Sequence, residues 1–204
     1  MNTQQMTGFL QRSCWLCLVL IGLMGCRSSS SSSNSNSNTT VRDSHQGERE
    51  YQAYLDRKRN SFIGKKVPSM ALTTLDGQTV DPAAMGGKLV LLNFWFAACK
   101  PCITEIPSLN ELQKKYKDND LVVVSVSTDR RSVVERVAEK YEKSYIVVPE
   151  GKPLADKLKV VTFPTTFLID RTGTIRDVFI GASADDATYT YSEIKPQIER
   201  LLAD

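Results

Sequence analysis

The sequence predicts an α/β domain with a central mixed sheet over residues 61–204, and three observations carry that prediction. LVLLNFWF (89–96) and LVVVSVS (121–127) are continuous apolar runs, as expected of strands buried on both faces. Between them lies a helical stretch with Ile103, Ile106, Leu109 and Leu112 on one face, which makes a β-α-β unit. TFLID (166–170), a turn at Arg171-Thr172-Gly173 and TIRDVFI (174–180) read as an antiparallel hairpin.

Taken in chain order, residues 1–13 are polar and 14–25, CWLCLVLIGLMG, form an apolar run. A membrane-crossing helix needs about 20 such residues, so this run suits the core of a signal peptide better. It ends in Leu23-Met24-Gly25-Cys26, which resembles the bacterial lipoprotein signal. That resemblance implies removal of residues 1–25 and lipid on Cys26, the new first residue; an ordinary signal peptide or uncleaved anchor is the alternative. RSSSSSSNSNSNTT (27–40) has nothing to bury and is expected to be a flexible coil. About twenty such residues would reach roughly 25 Å. EREYQAYLDRKR (48–59) is expected to be a short charged helix. Residues 26–60 are thus expected to form a lipidated tether, and 61–204 the folded domain.

Within the domain, residues 72–80 predict two short strands around Asp76-Gly77, an added hairpin at the amino end. A helix is expected from Lys100 or Pro101 to Tyr116. Proline suits its first turn, and Pro107 should kink it. Further expectations are an amphipathic helix at 131–143, a strand at Tyr145–Val148, a brief helix near 153–159 leading into TFPTTFLID (162–170), a strand at 174–180, and a last helix at 190–203.

Composition narrows the function. The chain is 41% hydrophobic and 24% charged, with a net charge of +3 and no long basic block, so nucleic acid is set aside as a partner. The single histidine, His45, lies far from any cysteine, which removes Cys–His catalysis and most zinc or copper sites. Of the five cysteines, Cys14 and Cys17 would leave with the signal peptide and Cys26 would carry lipid. Cys99 and Cys102 would remain as the free thiols.

Cys99-Lys100-Pro101-Cys102 follows a buried strand and opens a helix. Unpaired N–H groups there favour a thiolate at Cys99, and Lys100 adds a positive charge. Cys102, within the first turn, is placed to resolve a mixed disulfide formed at Cys99. Half a zinc knuckle is an alternative that lacks further ligands. A purely structural disulfide is another, and a two-residue loop gains little from one.

Phe94-Trp95, the CxxC at a helix start, Pro107 and Phe163-Pro164-Thr165-Thr166-Phe167 resemble the thioredoxin fold, which implies a three-layer α/β architecture. KLVLLNFWFAACKPCITEIPSLNEL (88–112) is similar to the TlpA/ResA-like branch of envelope thiol-disulfide proteins, and the resemblance covers about residues 61–182. It implies a thiol-disulfide oxidoreductase with no cofactor beyond a redox-active Cys99–Cys102 disulfide and no metal. The implied place is the cell envelope, lipid-anchored and facing the periplasm or outer face of the membrane. The implied partners are disulfide-bearing envelope proteins, as in cytochrome c maturation, and a membrane thiol reductant; the domain is expected to be monomeric. Glu105 occupies the position of the branch's acid and is expected to move the proton of Cys102, with a solvated helix glutamate as the alternative. Pro164 is implied to be cis and to face the CxxC, with Phe163, Lys100 and Pro101 contacting the substrate chain. Ala98 stands where the family usually has tryptophan, and Asn93 where thioredoxin carries aspartate.

Competing activities are a thiol oxidase and a peroxiredoxin-like peroxidase. The strongly oxidising type has a histidine beside its second cysteine, which is absent here. A peroxidase needs Pro-x-x-x-Thr-x-x-Cys, whereas Phe96-Ala97-Ala98 precedes Cys99. A copper chaperone would need CxxxC and a nearby histidine. A docking module without catalysis would not need an intact CxxC.

Overall fold

A computed structural model describes residues 37–203, with side chains from residue 45 onward. The signal run, Cys14, Cys17, Cys26 and residues 27–36 lie outside the described residues.

All seven residues of strand β3 (Leu89–Trp95) are buried, because helices or loops cover both of its faces. It pairs in parallel with β4 (Leu121–Ser127), from Leu89 opposite Leu121 to Trp95 opposite Ser127. On its other side it pairs antiparallel with β6 (Thr165–Ile169). β5 (Ile146–Val148) extends the sheet beyond β4 in parallel, and β7 (Ile175–Ile180) extends it beyond β6 antiparallel. The order β5-β4-β3-β6-β7 is the mixed sheet expected of the thioredoxin fold. A separate hairpin, β1 (Leu72–Thr73) with β2 (Thr79–Val80), turns at Gly77 with φ +84°, a region that a residue with a Cβ rarely enters. It caps the β5 edge, where the Leu75 N–H donates to the Val147 carbonyl at 2.7 Å.

Alternation along β3 divides the core. Leu89, Leu91 and Trp95 point to one face, where they meet Leu109 and Leu112 of α3 (Ile106–Tyr116) and Ile194 and Ile198 of α6 (Tyr189–Ala203). Val90, Leu92 and Phe94 point to the other, with Phe167, Val178 and Leu154. Phe167 packs edge-to-face on both Phe62 and Phe94, at 5.3 and 5.9 Å between ring centroids.

Three expectations are corrected. The amino-terminal helix α1 runs over Ser37–Asn60, so residues 37–40 are helical rather than coil and the helix is longer than 48–59. Gln46 to Glu50 and Gln52 to Glu48 hydrogen bonds, each spanning four residues, support the helix locally. Its carboxyl end is held by tertiary contact: Leu55 is buried, and Arg59 Nε donates to the Val178 carbonyl at 2.7 Å. Residue 61 is therefore not a packing boundary. The helix expected over 131–143, α4, covers Arg131–Lys140 only. Asn110 pins the chain beyond it, accepting from the Ser144 N–H and donating to the Glu142 carbonyl, both at 2.8 Å. The brief helix α5 spans Lys152–Lys157, slightly earlier than expected. Among the described residues no helix is long and apolar enough to cross a membrane.

Candidate active site

The site begins where β3 ends. The Phe96-Ala97-Ala98 loop is fastened to the β4 end: the Ala97 N–H donates to Asp129 Oδ2 at 2.6 Å and the Thr128 N–H to the Trp95 carbonyl at 3.1 Å. Cys99 then caps helix α2 (Lys100–Thr104) in an extended conformation, and its Sγ accepts from the Cys102 N–H at 3.3 Å. The two residues are joined as a disulfide with Cα atoms 5.2 Å apart, within the range that bridging requires. Cys99 is 6% exposed and Cys102 2%, so Cys99 is the more accessible of two well-covered residues.

Lys100 is turned to solvent, 71% exposed, and pairs with Asp185 at 2.7 Å. Its charge is thus shared with a carboxylate rather than reserved for the cysteine. Pro101 is half-buried in the first turn. The Phe163–Pro164 peptide is cis, and the Pro164 carbonyl accepts from the Gly181 N–H at 2.8 Å. Phe163 is half-buried and stacks edge-to-face on Phe96, centroids 5.3 Å apart. It packs against the cluster containing Cys99 and Cys102. Trp95 belongs to the same cluster and is almost fully buried.

Pro107 cannot donate to the Ile103 carbonyl, and the helix breaks between α2 and α3 at Glu105. Glu105 is turned inward at that break and is 2% exposed. Asn93 Nδ2 donates to its Oε1 at 2.8 Å and Thr190 Oγ1 to its Oε2 at 3.0 Å. Asn93 also donates to Thr166 Oγ1 at 3.0 Å, which ties β3, β6, α6 and the helix break into one network. Burial pushes the Glu105 carboxyl up to about 7, against the opposing pull of the Asn93 and Thr190 hydrogen bonds. A small cavity of about 30 Å³, lined in part by Glu105, Thr166, Thr190 and Glu193, lies beside it. That is room for a water or two, since one needs roughly 10–15 Å³. The solvated-glutamate alternative does not fit this burial.

Sequence reasoning missed several neighbours. Asp129 holds the loop before Cys99; Thr190 comes from the last helix, far along the chain. Lys143 Nζ is covered, makes no hydrogen bond among the described residues and lies 5.3 Å from the Trp95 ring centroid. Burial lowers its ammonium to about 8. Tyr145, buried near Glu105, has a hydroxyl without a partner among the described residues and a raised pKa, chiefly from burial. No periodicity or spacing signals these tertiary contacts. Among the described residues no group of three or more His, Cys, Asp or Glu is arranged to hold a metal.

A family model described as AhpC/TSA matches residues 63–178. Thiol-disulfide oxidoreductase ResA of Bacillus cereus is 31% identical over 143 residues, 69% of this chain and 83% of that protein. The chain belongs to the AhpC/TSA family, among its ResA-like thiol-disulfide oxidoreductases. Thioredoxin-like protein YneN of Bacillus subtilis is also 31% identical, over 73% of this chain and 86% of that one. A crystal structure from Chlorobium tepidum, named as a candidate thiol:disulfide interchange protein DsbE, superposes with a TM-score of 0.63 at 27% identity. That superposition covers 69% of this chain and 97% of the other. This ResA-like chain is a thiol-disulfide oxidoreductase of the thioredoxin fold, and a peroxidase is not favoured.

Proposed function

We propose that the chain reduces disulfides in proteins of the bacterial envelope, with Cys99 as nucleophile, Cys102 as resolving thiol and Glu105 as proton acceptor. The observation that carries this reading is the buried carboxyl of Glu105, three residues beyond Cys102, with a pKa raised to about 7. In the reduced protein the Cys99 thiolate attacks a substrate disulfide. The substrate S–S bond breaks, a mixed disulfide forms, and the departing sulfur takes up a proton. Cys102 then gives its proton to Glu105 and attacks Cys99 Sγ; the Cys99–substrate S–S bond breaks and the Cys99–Cys102 disulfide forms. The second substrate sulfur leaves as a thiolate that takes up a proton as Glu105 gives its own back to solvent. A membrane thiol reductant would return two electrons and two protons. The Cys102 N–H that contacts Cys99 Sγ would also stabilise the thiolate.

Lys100, Pro101, Phe163 and Pro164 would meet the substrate chain. Two sizeable clefts, of about 880 and 710 Å³, are lined by neither cysteine nor any residue between them, which supports a macromolecular substrate docking over a surface rather than a small molecule in a pocket. Residues 1–25 would be a signal peptide and Cys26 the lipid attachment site, which would hold the domain, as a monomer, at the periplasmic or outer face of a membrane. Maturation of cytochrome c is the substrate process that this resemblance favours.

Insulin reduction by the full chain, driven by dithiothreitol, tests the activity. Wild type should accelerate it, Cys99→Ser should abolish the effect, and Cys102→Ser should accumulate a mixed disulfide. Equal rates in wild type and Cys99→Ser would overturn the assignment. Labelling with radioactive palmitate in a bacterial host tests the tether, since Cys26→Ser should lose the label entirely.

A further inference from the structure

The second cleft, about 710 Å³, lies beside the carboxyl end of α1 and is not part of the redox site. Three separate stretches bring cations to its rim: Arg57 and Lys58, Lys65 and Lys66, and Lys157 and Lys159. No carboxylate lines it. None of the six cations forms an ion pair among the described residues, although eight such pairs occur elsewhere. The nearest acids along the chain are already engaged, Asp56 with Arg59 and Asp156 with Lys152. Lys66 Nζ reaches only the neutral oxygens of Thr172, and Lys58 lies 5.9 Å from the Tyr54 ring centroid. The floor is apolar, formed by Phe62, Pro68, Leu158 and Ile175.

Six like charges around one cleft repel each other unless a counter-charge arrives, so this rim costs stability in the free protein. An apolar floor under a ring of ammonium groups matches an amphiphile with a negative head and a hydrocarbon tail. We propose that this cleft binds an anionic phospholipid of a membrane surface, with the phosphate on the lysine rim and part of an acyl chain on the floor. Lysine ammoniums suit phosphate as point charges, and the volume falls within the roughly 300–1,000 Å³ of small-molecule sites. α1 runs from this cleft back toward residue 37, and so toward the segment that carries Cys26. The cleft therefore sits on the element nearest the expected membrane tether, yet it needs no lipid on Cys26. Docking there would add a second contact to the tether and leave the Cys99–Cys102 surface, which shares no lining residue with the cleft, free for substrate.

Vesicle sedimentation of the full chain carrying Cys26→Ser tests the proposal without an attached lipid. Vesicles of phosphatidylcholine alone are compared with vesicles rich in phosphatidylglycerol. The apolar run at 14–25 contributes to both, so the ratio of the two affinities is read. Each cation near an anionic surface is worth about fivefold, so removing three charges in K65Q/K66Q/K157Q should lower the preference for phosphatidylglycerol on the order of 100-fold. The variant should keep wild-type insulin reduction, which shows that it is folded. No preference in the Cys26→Ser chain, or a preference that survives K65Q/K66Q/K157Q, overturns the proposal. So does full displacement by millimolar inorganic phosphate at constant ionic strength, which would mark a free-anion site. Loss of palmitate label at Cys26 leaves this result unmoved, so the two readings fail separately.

Discussion

The two faces of strand β3 are built from neighbouring residues of one segment and differ in kind. Val90, Leu92 and Phe94 enter a core of hydrocarbon and aromatic rings, closed by Phe167 and Phe62. Leu89, Leu91, Asn93 and Trp95 enter a face that also holds a buried carboxyl, a disulfide and, among the described residues, three buried polar atoms without partners, on Trp95, Lys143 and Tyr145. Buried polar groups without partners cost stability, so a face that retains several of them is tuned for something other than stability. The smooth face thus carries the fold, and the polar face holds the groups that titrate and exchange electrons. Substitutions on the two faces should separate stability from redox behaviour.

The largest effect is expected on the smooth face. Phe167→Ala removes a fully buried ring and its two edge-to-face contacts and should lower unfolding free energy by about 3–5 kcal/mol, read from urea denaturation. The folded fraction should keep the wild-type pH profile of disulfide reduction; a changed profile would break the division between faces.

Next comes Glu105. Its folded pKa of about 7 lies above the ordinary value of 4.5, so between those limits the folded protein holds a proton that the unfolded chain has released. Stability of the oxidised protein should therefore be highest below pH 4.5 and fall as pH rises to 7, by on the order of 3 kcal/mol. Glu105→Gln should flatten that slope in chemical denaturation across pH 4–8, and should remove an inflection near pH 7 from the rate of disulfide reduction. An unchanged slope would place the carboxyl outside the proton chemistry.

A smaller effect is expected at Thr190, whose hydroxyl donates to Glu105. Thr190→Val should cost about 1–2 kcal/mol at pH 8, where the carboxyl is charged. It should also move the activity inflection to higher pH, because a hydrogen bond that favours the anion is lost. A merely structural threonine would leave the inflection in place. The smallest is at the rim. Asp185→Asn breaks an exposed pair with Lys100 and should change stability by less than about 1 kcal/mol, with the same urea assay as the check.

Much of this was legible in the sequence for physical reasons that can be named. The buried strands 89–96 and 121–127 are apolar without interruption, the hairpin carries Asp76-Gly77, and Pro107 marks the helix break, so local chemistry alone reports them. Only two residues separate Cys99 from Cys102, and their closeness follows from helix geometry. The polar network was only half visible. Asn93 and Glu105 stand at positions with a family resemblance, whereas Thr190 approaches from far along the chain and Asp129 and Lys143 from other loops, contacts that only the folded topology creates. α1 was underestimated because Ser, Asn and Thr at 37–40 rank low in helix propensity, and the docking of Leu55 and Arg59 onto the domain leaves no periodic mark upstream.

On the proposed function, Cys99 and Cys102 form a reversible two-electron couple poised for reduction of other proteins. It is tested most directly by equilibrating the full chain in dithiothreitol redox buffers and counting alkylated cysteines by mass. Cys99 and Cys102 should open together, with a midpoint near the thioredoxin value of about −270 mV. A midpoint near about −120 mV would make the protein an oxidant, and a bridge that stays closed under mild reductant would reduce it to a structural link.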